Sequence, residues 1–167
     1  DRWKQDIEHV GGSGMCPMIW KFYDPNSSYP SNNTSYTSTK DIFLFRLADT
    51  YLLAAEAYYK AGDSQKAAER INKVRERAAL PGHAADMDIK PEQVDIDFIL
   101  DERAREMAGE YNRWMDLKRT GKLIERTLKY NNLAGKINKM DNHILLRPIP
   151  QSVIDQTTGD FKQNTGY

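Results

Sequence analysis

Residues 51–78 read YLLAAEAYYKAGDSQKAAERINKVRERA, and this stretch decides the fold. Tyr51, Ala54, Ala55 and Tyr58 fall three or four apart, so they share one face of a helix. The spacing extends back through Leu47 and Phe43, which places the helix start at Ile42. Gly62 ends it, because glycine enters the left-handed conformation of a helix terminus without steric cost. Asp63 then stands where a side-chain oxygen caps the next helix, whose apolar face is Ala67, Ile71, Val74 and Ala78. Pro81-Gly82 stops that second helix. Joined by Ala61-Gly62-Asp63, the two form an antiparallel hairpin, and Ala54, Ala55, Ala67 and Ala68 let the axes approach closely.

The alternation of large and small residues at Tyr51, Ala55, Tyr58, Gly62, Ala67, Ile71 and Val74, followed by Pro81, reproduces one tetratricopeptide repeat. Such a hairpin buries its face by stacking on neighbours, and about three units are usually needed. With one repeat, no secretory signal and a charged start at Asp1-Arg2, the chain is expected to be the C-terminal part of a larger protein. Beyond the hairpin, Pro91 opens a long helical pattern through Ile96, Ile99 or Leu100, Arg103, Met107, Tyr111, Trp114 and Leu117, ending at Gly121. A shorter helix follows from Lys122 to Tyr130. His143 to Arg147 reads as a short extended run before Pro148-Ile149-Pro150, and Ser152 to Gln156 as one helical turn. The fold class is therefore all-α: a tetratricopeptide-like hairpin and further helices with long irregular loops, part of an α-α superhelix.

Residues 1–40 contrast with 41–167. They carry a short helical pattern at Arg2 to His9, the turn Gly11-Gly12-Ser13-Gly14, and a mixture of Pro, Ser, Asn and Tyr from Tyr23 to Thr39. Met18-Ile19-Trp20 and Phe22-Tyr23 fit either a short strand or a plug into a core. Over the whole chain, 24 Lys and Arg balance 24 Asp and Glu, so there is no basic footprint for nucleic acid and no polybasic face for anionic lipid. Cys16 is the single cysteine, which excludes an intrachain disulfide and a cysteine-based zinc site; no cofactor or metal is expected.

Two constellations invite a chemical reading. Glu102, Glu106 and Glu110 recur every fourth residue and would repel one another on one helix stripe. A carboxylate pair could serve acid–base hydrolysis of a glycosidic bond or bind an oxygen-loving metal. No histidine or nucleophile accompanies the set, however, and Arg46, Arg70, Arg75, Arg77, Arg103, Arg105 and Arg113 are available to neutralise it. An interhelical ion-pair network is the favoured reading, with no enzyme activity, and Trp114 is expected to anchor the core. The second constellation is the loop from Trp20 to Tyr36, where Trp20, Tyr23, Tyr29 and Tyr36 interleave with Asn26, Asn32 and Asn33. Aromatic rings can lie on the C–H face of a sugar while Asn and Ser bond its hydroxyls, so Trp20, Tyr23, Tyr29, Tyr36 and Asn32 are the candidate ligand contacts. The competing reading is a surface loop pinned by its tyrosines.

Taken in order, Arg46-Leu47-Ala48-Asp49, the run Tyr51 to Ala57, Ile71-Asn72-Lys73-Val74-Arg75-Glu76-Arg77-Ala78, Glu102-Arg103, Glu106, Glu110, the run Arg113 to Leu123, Pro148-Ile149-Pro150 and Gln163-Asn164-Thr165-Gly166-Tyr167 resemble the C-terminal region of the SusD/RagB family of outer-membrane nutrient-binding lipoproteins. The resemblance runs from about Arg46 to Tyr167. Tyr111 stands where that family often has glycine, and Thr165 where it often has proline.

The resemblance implies a helical scaffold outside the cell, held at the outer membrane by an N-terminal lipid that this chain does not carry. It implies a SusC-like TonB-dependent transporter as partner and an oligosaccharide, or sometimes a peptide, as ligand. Capture without cleavage is the expected function, with a tetratricopeptide-like scaffold for protein docking or peptide capture as the alternative. The matched motifs correspond to packing and ion pairs in such proteins, so none is carried over as a ligand contact.

Overall fold

The computed structural model describes residues 20–22, 24, 38, 40–131 and 140–167. The chain divides into two units, Asp1–Leu44 and Phe45–Tyr167. In the first unit, a 3-10 turn spans Trp20–Phe22. Ser38 Oγ donates to Asp24 Oδ2 at 2.8 Å, and Lys40 Nζ to the Lys21 carbonyl at 3.0 Å. The expected helix at Arg2 to His9, the turn Gly11 to Gly14 and most of the Tyr23 to Thr39 loop lie outside the described residues.

The second unit is all-α among its described residues, with six helices: α1 Leu47–Lys60, α2 Ser64–Ala78, α3 Ile96–Glu106, α4 Arg113–Arg119, α5 Leu123–Tyr130 and α6 Gln151–Gln156. The α1–α2 hairpin forms as its turn residues dictate. Gly62 takes φ +84°, and Asp63 accepts the Lys66 amide at 2.9 Å. Leu52 and Ala55 of α1 close on Ala67, Ala68, Ile71 and Val74 of α2, and Ile99 of α3 completes this core with Ile89 and Val94. Alanine on both facing stripes brings the helices together with little side-chain entropy to lose. Ala78, expected on that face, is exposed at the end of α2.

The helix start expected at Ile42 is corrected to Leu47. Ile42, Leu44 and Phe45 are 74%, 80% and 89% exposed, and Ile42-Phe43-Leu44-Phe45 is a continuous apolar run without helical period. Arg46 precedes the helix with extended backbone (φ −147°, ψ 159°). Its side chain is drawn across to the end of α3, so the chain arrives straight and begins to coil only afterwards.

The long helix expected from Pro91 to Leu117 is also corrected. A 3-10 turn at Pro91–Gln93 precedes α3, whose true cap is Asp95 accepting the Phe98 amide at 2.6 Å. After Glu106 the chain breaks, because Gly109 and Tyr111 both adopt positive φ (+79° and +63°). Tyr111 is thereby turned out to 91% exposure instead of continuing the apolar stripe. The break lets α4 fold back, and Leu100, Leu117 and Leu123 form a second, smaller core flanked by Trp114, Ile144 and Leu145. Trp114 is thus a half-buried core anchor, with Arg147 over its ring at 5.9 Å.

Residues 143–147 are a 3-10 turn (Asn142–Leu145) leading into extended backbone, not an extended run throughout. The C-terminal residues clasp this segment. Gln163 and Ile149 exchange two hydrogen bonds at 2.8 Å, Asn164 Nδ2 donates to the Arg147 carbonyl, and the Tyr167 hydroxyl donates to the Leu146 carbonyl. Gly166 (φ +101°) permits this approach, since a Cβ there would lie 2.6 Å from His143 Cβ. The Pro-Ile-Pro and Gln-Asn-Thr-Gly-Tyr elements are therefore two sides of one closure.

Candidate functional site

The carboxylates that could have carried chemistry are held by cations. Glu102 on α3 accepts Arg75 from α2 at 2.8 Å and Arg105 from its own helix at 2.7 Å. Glu106 accepts Arg77 at 2.7 Å and also Arg46. Glu110, expected to continue the helix stripe, stands on the turn past α3, yet the same Arg46 reaches it at 2.8 Å. Burial works against the Arg46 charge, but its hydrogen bonds to Glu110 and Glu106 outweigh that and hold its pKa above the ordinary value. Arg70 does not join the network; it lies over the Tyr58 ring at 5.7 Å.

A second, deeper set centres on Arg103, whose side chain is 2% exposed. Its Nη2 donates to Asp49 of α1 and its Nε to Asp116 of α4, both at 2.7 Å. Asp116 also meets Arg119, which reaches Glu56 of α1, itself bonded to Lys60. Burial pushes the Glu56 carboxyl up, but the bonds from Arg119 and Lys60 prevail and hold it below the usual carboxylate range. Three helices, α1, α3 and α4, are thus cross-linked by guanidinium groups each shared between two carboxylates, which fix orientation more than they add net stability. Each of these carboxylates accepts from at least one cation, while Glu56 Oε2 is buried without a hydrogen-bond partner.

Of the candidate ligand contacts, Trp20 lies on the 3-10 turn Trp20–Phe22, with its side chain outside the described residues. Tyr23, Tyr29, Asn32 and Tyr36 also lie outside them. What is described is the stem: the Asp24–Ser38 hydrogen bond ties the two ends of segment 25–37 together, with Asp24 buried. Sequence reasoning missed this pairing, because an Asp and a Ser 14 positions apart carry no periodic signal.

The helical unit bears open grooves. One of about 210 Å³ lies beside α1 and α2, lined by Leu47, Tyr51 and Val74 together with Arg46, Lys73 and Arg77. Others flank α3 and α4. Among the described residues, no helix is long and apolar enough to cross a membrane.

Comparison with known proteins agrees with the sequence resemblance. A family model described as the SusD family matches residues 7–167. A SusD-like protein of Formosa agariphila is 34% identical over 155 residues, covering 89% of this chain and 28% of that protein. A second from the same organism is 36% identical over 121 residues, covering 71% and 23%. The starch-binding protein SusD of Bacteroides thetaiotaomicron is 31% identical over 156 residues, covering 92% and 26%. The chain therefore spans about a quarter of the length of these curated relatives. No solved structure matches.

Proposed function

The chain belongs to the SusD family, and on that premise we propose that it is part of a protein that captures glycan at the bacterial cell surface and delivers it, uncleaved, to a SusC-like TonB-dependent transporter. In this reading the full-length protein is lipid-anchored at the outer face of the outer membrane, and residues 45–167 are the scaffold that holds its binding loops. The observation that carries the reading is the family match across nearly the whole chain, together with similarity to a protein named as starch-binding. Neutral composition suits an uncharged ligand at the Trp20 to Tyr36 loop. Engagement of Glu102, Glu106 and Glu110 by arginines supports a non-catalytic role.

Trp20, Tyr23, Tyr29, Asn32 and Tyr36 remain the proposed contacts of the loop whose stem is the Asp24–Ser38 pair. The groove of α1 and α2, with Leu47, Tyr51 and Val74 among its lining, favours peptide capture as the second reading. Retardation of the full-length protein in gels loaded with starch and other neutral polysaccharides tests the first. Retardation without release of reducing ends is expected, and lowered retardation in Tyr29→Ala and Tyr36→Ala. Hydrolysis by the parent protein, or no retardation by any glycan, would overturn it.

A further inference from the structure

Two depressions remain around α3 to α5 after the scaffold's packing is accounted for. The first, about 350 Å³, is walled by Asp101, Arg126, Thr127, Tyr130 and Asn131. The second, about 220 Å³, lies over the break after α3, at Met107, Gly109 and Tyr111. Ala104 and Arg113 line both. Tyr130, with Arg126 and Lys129 each 5.1 Å from its ring centroid, lines the first and Tyr111 the second, and both tyrosines are exposed.

The arginines that line the two depressions are unevenly satisfied. Arg103 and Arg126 bind carboxylates, yet Arg103 Nη1 and Arg126 Nε are buried without a hydrogen-bond partner. Arg113 donates from Nη1 to the Leu100 carbonyl at 2.6 Å and pairs with no carboxylate among the described residues. The nearby carboxylates are already engaged, Asp116 by Arg103 and Arg119 and Asp101 by Arg126. Burial, followed by the like charge of Arg126, lowers the Arg113 pKa from its ordinary value. An incoming anion would offset the like charge of Arg126, and a guanidinium fork matches a planar or tetrahedral oxyanion. Tyr111 holds a left-handed backbone although its side chain packs on nothing that would enforce it, a strain of the kind retained where a side chain must be presented.

We propose that this groove is a ligand subsite for an acidic glycan, with Arg113 receiving a carboxylate or ester sulfate substituent and the rings of Tyr111 and Tyr130 carrying the adjoining sugars. The inference rests on the glycan-capture reading and narrows its ligand class. Flat rings accept the C–H faces of pyranoses, and Thr127 supplies a hydroxyl for theirs.

Calorimetric titration of the full-length protein with a galacturonate tetrasaccharide, a sulfated galactose tetrasaccharide, maltotetraose and inorganic sulfate tests it. At least one acidic oligosaccharide binds with an affinity that falls with salt, and Tyr130→Ala and Tyr111→Gly each weaken it about tenfold. Maltotetraose binding, where present, is unchanged in both variants. Arg113→Lys, which keeps charge but loses the fork, weakens the acidic ligand as well; should it fail to fold, the tyrosine variants decide. The carboxylate and sulfate arms identify which acid group is read. Acidic ligands bound equally by parent and tyrosine variants, or inorganic sulfate bound as tightly as the sulfated sugar, would overturn the subsite while leaving glycan capture standing. A folded parent that binds no glycan would defeat both.

Discussion

Arg103 and Asp49 lie 54 positions apart, yet the Arg103 Nη2 donates to the Asp49 carboxylate at 2.7 Å with both side chains at least nine-tenths buried. The same guanidinium holds Asp116 through Nε, so one cation on α3 fixes α1 and α4 together. Arg103→Ala leaves the buried Asp49 without its counter-ion and Asp116 with Arg119 alone. Such removal costs on the order of 3–5 kcal/mol, which urea unfolding of the chain measures directly. Arg103→Lys is expected to lie between, since a single ammonium cannot reproduce two separate donors in a fixed fork. A loss below ~1 kcal/mol in Arg103→Ala would mean that the contact contributes nothing to cohesion.

Tyr111 offers a gain in stability. Its φ of +63° is readily adopted only by glycine, and its ring is exposed, so Tyr111→Gly removes strain while giving up little packing. After the larger unfolded-state entropy of glycine is set against it, a net gain of about 0.5–1 kcal/mol is expected as a raised thermal midpoint. A lowered midpoint would place Tyr111 in contacts that stabilise the fold.

Glu56 sets an acid limit on stability. Its folded pKa lies below its unfolded value, because the bonds from Arg119 and Lys60 overcome the cost of burial. Its contribution is therefore complete above the unfolded carboxylate pKa of about 4.3 and is lost as pH falls through the lower folded value. Urea midpoints measured from pH 7 down to pH 3 should drop across this window. Glu56→Gln should begin lower at pH 7 and fall less steeply, and parallel curves would remove Glu56 from the acid response.

Gly166 closes the C-terminal clasp. Gly166→Ala combines an unfavourable φ of +101° with a Cβ 2.6 Å from His143 Cβ. The expected cost is about 1–3 kcal/mol, confined to the closure. Amide exchange should accelerate at Ile149 and Asn164, which bond to the Gln163 side chain, while Leu52 and Ile71 in the main core stay protected. Unchanged exchange at Ile149 would show that the segment closes without Gly166.

The hairpin was legible because its determinants are local. Gly62 and Asp63 act on neighbouring residues, and the spacing of Ala55, Ala67, Ile71 and Val74 follows from helical geometry alone. The carboxylate stripe was legible as an ion-pair network, since unpaired carboxylates at that spacing would repel. Its partners were only partly so. Arg46, Arg75 and Arg77 reach the carboxylates, whereas Arg70 turns to Tyr58 and Arg113 to a backbone carbonyl. The apolar period running through Tyr111 to Trp114 concealed the break, because a stripe of residues that all end near the core looks alike whether one helix or two carry it.

The sequence by itself determined that the chain is helical, where its hairpin turns, and which family its motifs resemble, because caps, glycines and apolar periods act over a few residues. Tertiary structure alone decided that Arg46 delays the first helix, that Arg103 joins α1 to α4, and that Ala104 and Arg113 share two grooves. Those outcomes depend on which charges a folded chain brings within 3 Å of one another, and distance along the sequence carries no measure of that.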